Sequence, residues 1–384
     1  MSVWDELVGQ EPAVAVLRAA VSDPGAMTHA WLLTGPPGSG RSNAARAFAA
    51  ALQCTAPASS GGPGCGLCHD CVTVVGGTHP DVTVVATEGV VIRAETARPL
   101  VELAQRSPSQ GRWRVIVVED ADRLNDTSGN ALLKAIEEPA ARTVWLMCAP
   151  SPQDVLVTIR SRCRSVALRV PPVDAVADLL VSRDGVEPSV AEVAARAAQS
   201  HVGIARRLAR DPQARARRAS VLDAAARVRG VGDAVIAAAE LVEAAQADAK
   251  AATEDRDATE KAALLRSLGA EGVTPLPPAV RTQLKALEDE QKRRATRAQR
   301  DRLDRAMVDL LSLYRDVLVV QLGAGVEPVN VEQESAARAL AASSSPEQTL
   351  RRMDAIGQAR TRLEGNVAPL LAVEAMMIAL RPQG

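Results

Sequence analysis

A chain of 384 residues with a formal charge of −1 has room for two or three domains, and it lacks the bulk charge that captures nucleic acid. Aromatic residues make up only 2% of it against 47% hydrophobic overall, so the core must be aliphatic and largely helical. The first residues, Ser2-Val3-Trp4-Asp5-Glu6, carry no apolar leader, and no run reaches ~18 apolar residues, so a soluble, cytoplasmic chain with no membrane partner is expected.

Gly9-Gln10 precedes a helix expected from about Pro12 to Val21, with Val14, Leu17 and Val21 on one face. Leu32-Leu33-Thr34 then reads as a buried strand, followed by Gly35-Pro36-Pro37-Gly38-Ser39-Gly40-Arg41-Ser42 and a helix through Ala44, Ala45, Phe48 and Ala49. This is the layout of a phosphate-binding loop, G-x-x-x-x-G-K-[ST], with one substitution. Gly35 and Gly40 let backbone N–H groups turn inward around a phosphate, and the helix N-terminus adds partial positive charge. Ser42 supplies the hydroxyl for Mg²⁺. The lysine that reaches the outer phosphates is replaced by Arg41, a wide planar fork in place of a compact point charge. Mg-ATP binding is therefore left open, and so is a plain Gly/Pro turn with no ligand.

Four of six cysteines follow within eighteen residues: Cys54 at the helix end, then Cys65, Cys68 and Cys71 in a Pro/Ser/Gly-rich loop. In a reducing compartment that spacing indicates metal rather than disulfides. Four thiolates fill a zinc tetrahedron and leave no open position, so a structural zinc is expected; His69 is a competing ligand the site does not need. Unliganded, reduced thiols in a loop are the alternative.

Asp81–Val85 alternates as a strand, Ile92–Arg106 reads as a helix, and Trp113–Val118 is a continuous apolar strand delivering Glu119 and Asp120 at its C-terminal end. A Mg²⁺-bound nucleotide takes its acids from such a position, with Glu119 on the metal side and Asp120 as the water-activating group. A helix through Asn130-Ala131-Leu132-Leu133-Lys134 stops at Glu137-Glu138-Pro139. Thr143–Cys148 is another buried strand, and a short helix leads to Thr158–Arg164. Strands alternating with helices make this a doubly wound α/β domain on a parallel sheet. From Pro171 three small helices follow without a strand, and beyond Pro212 everything reads as helix, broken at Thr274–Pro278. Met307, Leu310, Leu311, Tyr314, Val317 and Leu318 form one apolar stripe, and Leu370–Leu380 is apolar nearly all round. The charged stretch 245–305 reads as a solvated, ion-paired helix face, with a DNA-binding surface as the lesser alternative.

Taken together, Gly9-Gln10, the loop at Gly35–Ser42, the four-cysteine insertion, the Asn130–Lys134 and Glu137–Pro139 segments and Ser161-Arg162-Cys163 resemble, in that order, the bacterial clamp-loader subunits of the AAA+ class. The resemblance is strong over roughly residues 1–210 and holds only in outline beyond. It implies an AAA+ α/β domain at 1–170 with a zinc-binding insertion at 54–71, a helical lid at 171–212 and an all-α collar domain at 213–384. Three departures resemble the stator rather than the motor type: Arg41 for lysine, Ala149-Pro150-Ser151 where motors place a threonine, and Gly203 where motors carry a lid arginine. The resemblance further implies a hetero-pentamer with motor (γ/τ) subunits and a δ subunit, which loads a sliding clamp (β) on primer-template DNA for DNA polymerase III. Arg162 would act in trans on a neighbour's ATP, and ATPase activity of the chain itself would be weak or absent. A catalytic motor that tolerates the arginine and a zinc-ribbon nucleic-acid adaptor are the competing readings.

Overall fold

The chain opens with α1 (Glu11–Ser22), β1 (Ala30–Thr34) and α2 (Arg41–Gln53), then α3 (His69–Val75), β2 (Val82–Val85), α4 (Ala94–Ala104) and β3 (Arg114–Val118). It continues with α5 (Asp126–Glu137), β4 (Thr143–Ala149), α6 (Val157–Arg160), β5 (Arg164–Ala167) and three short helices, α7 (Val173–Asp184), α8 (Pro188–Ala197) and α9 (Val202–Arg210). The five strands form one parallel sheet in the order β2-β3-β4-β1-β5. The computed structural model describes residues 2–56, 62–87, 91–273, 275–365 and 367–382; Thr274 of the expected break and residues 57–61 of the cysteine loop lie outside them.

β1, β3 and β4 are buried at every position because helices cover both faces. Trp31, Leu33, Val115, Val117, Val144 and Leu146 pack with α1 and α2, and Trp31 meets Phe48 edge-to-face at 5.3 Å. The alternate residues Leu32, Ile116, Val118, Trp145 and Met147 pack on the other face with α4 and α5. A strand dry on both sides has no polar positions to alternate, which is why each read as a continuous apolar run.

β5 was not expected. Only Val166 of its four residues is buried, so nothing in its hydrophobic pattern marks a strand; backbone pairing from Trp31↔Arg164 to Thr34↔Ala167 defines it. α5 begins at Asp126, ahead of Asn130, because Asn125 and Ser128 cap each other reciprocally.

Just before β2, the fully buried Asp81 sits in a nest of donors from the segment that leads into β3. Its Oδ2 accepts from the backbone N–H groups of Gln110 and Gly111 at 2.7 Å each, and its Oδ1 from Ser109 N at 2.7 Å and Arg114 at 3.0 Å. Burial pushes the pKa up, but the N–H groups of Gly111, Gln110 and Ser109 outweigh it and bring it from 3.8 down to about 2. The charged form therefore stabilises the fold above pH ~4 by about 2 kcal/mol, and that contribution is lost as pH falls from ~4 through ~2. All four tryptophans, Trp4, Trp31, Trp113 and Trp145, lie before residue 211, so their fluorescence reports on this unit alone. Asp81→Asn is expected to lower urea stability at pH 7 and to flatten the acid branch between pH 4 and 2; an unchanged acid branch would rule this out.

Residues 211–384 form a second compact unit, distinct from 1–210. It comprises α10 (Pro212–Arg227), α11 (Val231–Ser267), α12 (Pro278–Gln321), α13 (Glu334–Ala342), α14 (Pro346–Glu364) and α15 (Pro369–Leu380). Met307, Leu310, Tyr314 and Val317 of the apolar stripe are fully buried, with Val373, Met376 and Met377 of α15 in the same core. α11 and α12 run 37 and 44 residues, about 55 and 66 Å, and continue past that core. There charges pair across them: Arg294, 8% exposed, grips Glu260 through both guanidinium arms at 3.0 and 2.8 Å, and Lys261 meets Glu288 at 3.1 Å. The ion pairs expected within helix faces occur (Arg256–Glu260, Arg297–Asp301), but the Arg294 pair joins the two helices and lies inside. Among the described residues no helix is long and apolar enough to cross a membrane.

Candidate functional site

The loop between β1 and α2 has the geometry of a phosphate cradle. Gly38 and Gly40 adopt φ of 89° and 88°, a region that L side chains rarely enter. A Cβ on Gly38 would lie 2.8 Å from His201 Cβ, so the α8–α9 turn packs directly on the loop. The buried Gln10 fastens the loop to the end of β5, donating to Ser39 O at 3.2 Å and Arg169 O at 2.6 Å and accepting from Arg169 N at 3.0 Å. A cleft of about 340 Å³ opens here, bordered by Leu7, Pro36, Gly38, Ser42, Pro171 and His201. The roles of Gln10 and His201 were not legible from spacing, because neither belongs to the loop motif.

The side chains around this cradle are committed elsewhere. Arg41 folds back, its Nη1 donating to the carbonyl of Gly35, the first residue of its own loop. Burial lowers its pKa, against the opposing pull of Cys148, Asp122 and Asp120. Glu119 is ion-paired with Arg46 of α2 at 2.9 Å, and Asp120 accepts from Thr87 N at 3.1 Å. Beside them, burial and then the charge of Asp120 raise the pKa of Asp122. The backbone of Gly35, Pro36, Pro37, Gly38, Ser39 and Gly40, with Ser42 in the first turn of α2, fits a phosphate. The buried Ser39 hydroxyl has no hydrogen-bond partner among the described residues. Both Arg41, the one cation of the loop, and Glu119 thus have partners within the chain.

The four cysteines converge. Cys54 caps the C-terminal end of α2, Cys68 caps the N-terminal end of α3, Cys71 lies within α3, and Cys65 precedes them. Their sulfurs all lie within 4.8 Å of one another, Cys68 to Cys54 at 3.9 Å. Four thiolates at about 2.3 Å from one ion would stand about 3.8 Å apart, so the set fits tetrahedral zinc. Backbone N–H groups of Leu67 and Cys68 point at Cys65 Sγ, and that of Cys71 at Cys68 Sγ, at 3.3–3.5 Å. Burial raises the Cys68 pKa, but the N–H of Cys71 and further hydrogen bonds outweigh it and bring it to about 6, favouring a thiolate. When bound, zinc would cross-link α2, the loop and α3. The short helix α3 was not expected: it starts inside the cluster, and Val72 and Val75 face solvent.

Arg162 stands apart from the loop, two residues beyond α6. Its Nε and Nη2 both engage Glu137 at the end of α5, and its Nη1 donates to Thr158 O at 2.6 Å.

Residues 9–172 match the family model described as DNA polymerase III, delta subunit. Over 145 residues the chain is 39% identical to DNA polymerase III subunit delta' of Pseudomonas aeruginosa, covering 37% of this chain and 44% of that one. It is 36% identical over 171 residues to the gamma/tau subunit of Mycobacterium bovis, covering 44% and 28%. With subunit delta' of Bacillus subtilis it shares 28% identity over 192 residues, covering 50% and 57%. The chain thus spans less than two thirds of each of these relatives. Residues 9–172, which carry the five-stranded parallel sheet, are thus similar to the delta' and gamma/tau subunits of DNA polymerase III.

Proposed function

We propose that this chain is a δ′-type stator of the clamp loader: it does not turn over ATP itself and presents Arg162 to the ATP held by a neighbouring γ/τ motor subunit. In this reading a hetero-pentamer with γ/τ and δ opens the sliding clamp and places it on primed DNA. Residues 1–170 and a lid at 171–212 stand beside the motor, and residues 213–384 contribute to the collar of the ring. A structural zinc on Cys54, Cys65, Cys68 and Cys71 orders the insertion.

The observation that carries the stator reading is the self-contact of Arg41. A lysine at this position works by reaching a phosphate as a free point charge, whereas this half-buried guanidinium is turned back on the Gly35 carbonyl. The ion pair of Glu119 with Arg46 supports the same conclusion for the metal side. The motor reading has one point in its favour, the intact glycine cradle with Ser42 behind it. ATP turnover by the isolated chain separates the two. The stator reading expects a rate no higher than that of its Ser42→Ala variant; steady turnover that Ser42→Ala abolishes would replace it with the motor.

A further inference from the structure

We infer that Glu137 is the positioning residue for Arg162, holding the guanidinium extended and charge-balanced until a phosphoryl group replaces the carboxylate. This inference rests on the in-trans role proposed above for Arg162.

Three groups hold the guanidinium. Nε and Nη2 converge on Oε1 of Glu137, and Nη1 is held by Thr158 O at 2.6 Å and approaches Ser161 Oγ at 3.3 Å. Both supports are anchored in the core. Leu132, Ala135 and Ile136 of α5 are fully buried just before Glu137, and Ile159 of α6 is fully buried just before Arg162. The two helices are locked together: a Cβ on Gly129 of α5 would fall 2.2 Å from Leu156 Cδ1. Glu137 and Arg162 are thus presented by rigid elements whose spacing is fixed by packing.

The pair itself is half-exposed, with side chains 36% and 43% accessible. An ion pair so open to water adds little to folding. What it does fix is the conformation of a long side chain, which otherwise samples many rotamers and would lose that freedom on meeting a phosphate. The carboxylate is also a partner that can be exchanged. A phosphoryl group offers more charge and the same paired oxygens, so it takes over the fork without a change in the backbone. The Thr158 carbonyl contact lies on the far arm of the guanidinium and need not break.

The test is a double-mutant cycle in the reconstituted complex, reading clamp- and DNA-stimulated ATP hydrolysis. Glu137→Ala is expected to lower kcat at the bordering site about fivefold with KM for ATP unchanged, the size expected when a long side chain no longer held in place must give up part of its rotamer freedom in the transition state. Glu137→Gln, which keeps an oxygen acceptor, should recover part of it. In the Arg162→Ala background, Glu137→Ala should cost nothing further, because it acts only through that arginine. Full turnover by Glu137→Ala alongside a clear Arg162→Ala defect would overturn the inference and leave the stator reading standing. A loss that adds to that of Arg162→Ala would overturn it too, since Glu137 would then act by another route. No defect in Arg162→Ala itself would remove the underlying reading and this inference with it.

Discussion

Cys68→Ser is expected to cost the chain the zinc proposed for its four cysteines and to loosen residues 62–75, while the α/β sheet stays folded. The expectation follows from where the cysteines sit. Apart from Val74, which packs in the core, and the contacts of Val3 and Trp4 with Pro63 and Gly64, the insertion has few apolar anchors: Leu67 is 78% exposed, and Val72 and Val75 also face solvent. A structural zinc supplies on the order of 10 kcal/mol of apparent binding energy, far more than such a loop can gather from its own contacts. Serine removes the central thiolate, the one that both caps α3 and approaches Cys54. Elemental analysis should find one zinc per wild-type chain and a clear deficit in the variant. The damage should reach Trp4 and spare Trp31 and Trp145. Trp4 donates to Pro63 O at 3.0 Å and Val3 N to Gly64 O at 3.0 Å, so the first residues are docked on the insertion. Trp31 and Trp145, fully buried against the sheet, have no such dependence. A red shift of Trp4 emission, with protease cleavage confined to 62–75, would accompany metal loss. Substoichiometric zinc in carefully purified wild-type protein would end the metal assignment.

Arg162→Ala should leave folding and assembly intact and reduce stimulated ATP hydrolysis in the complex. The side chain is exposed and its ion pair is weak, so stability has little at stake. At the one ATP site that would border this subunit, an arginine supplied in trans is worth roughly 10³–10⁵ in rate. With only one of several ATP sites expected to border this subunit, the residual rate of the whole complex should stay substantial. Arg162→Lys should not rescue the loss, because an ammonium cannot bridge two phosphate oxygens as the planar fork does. Full stimulated turnover and normal clamp loading by the Arg162→Ala complex would reduce Arg162 to a surface charge.

The sequence carried the scaffold of the first unit better than its chemistry. β3 and β4 were legible because burial on both faces forces unbroken apolar runs, and the cradle because Gly35 and Gly40 mark its turn, Gly40 and, beside it, Gly38 taking a positive φ that no other residue adopts as cheaply. β5 was not, since a strand held by backbone pairing at the sheet edge asks little of its side chains. Spacing placed Arg41 in the loop but could not say that its guanidinium turns back to Gly35. Nor could it join Glu137 to Arg162, whose contact depends on how α5 and α6 pack 25 residues apart. In the stretch 245–305 the charges were plain, but the position of Arg294 inside the helix pair follows from a register that emerges only once α11 and α12 lie side by side.

That inward arginine makes the long helix pair a ruler whose deepest mark is the Arg294–Glu260 grip, with Lys261–Glu288 and Arg302–Asp248 as shallower ones. Two helices joined by apolar or small residues can slip by a turn, about 5.4 Å, and find nearly equivalent contacts. Here a slip of one turn would break the two-armed grip of Arg294 on Glu260, and a slip away from Asp257, 3.7 Å off, would leave a buried guanidinium without a carboxylate, a fault costing several kcal/mol. The loop that joins the two helices, ending at Pro278, is therefore held about 24 Å along α12 from that mark, sixteen residues at 1.5 Å each. Replacing Arg294, Glu260 and Asp257 together with apolar residues could leave the pair just as stable, but its reach would no longer be single-valued.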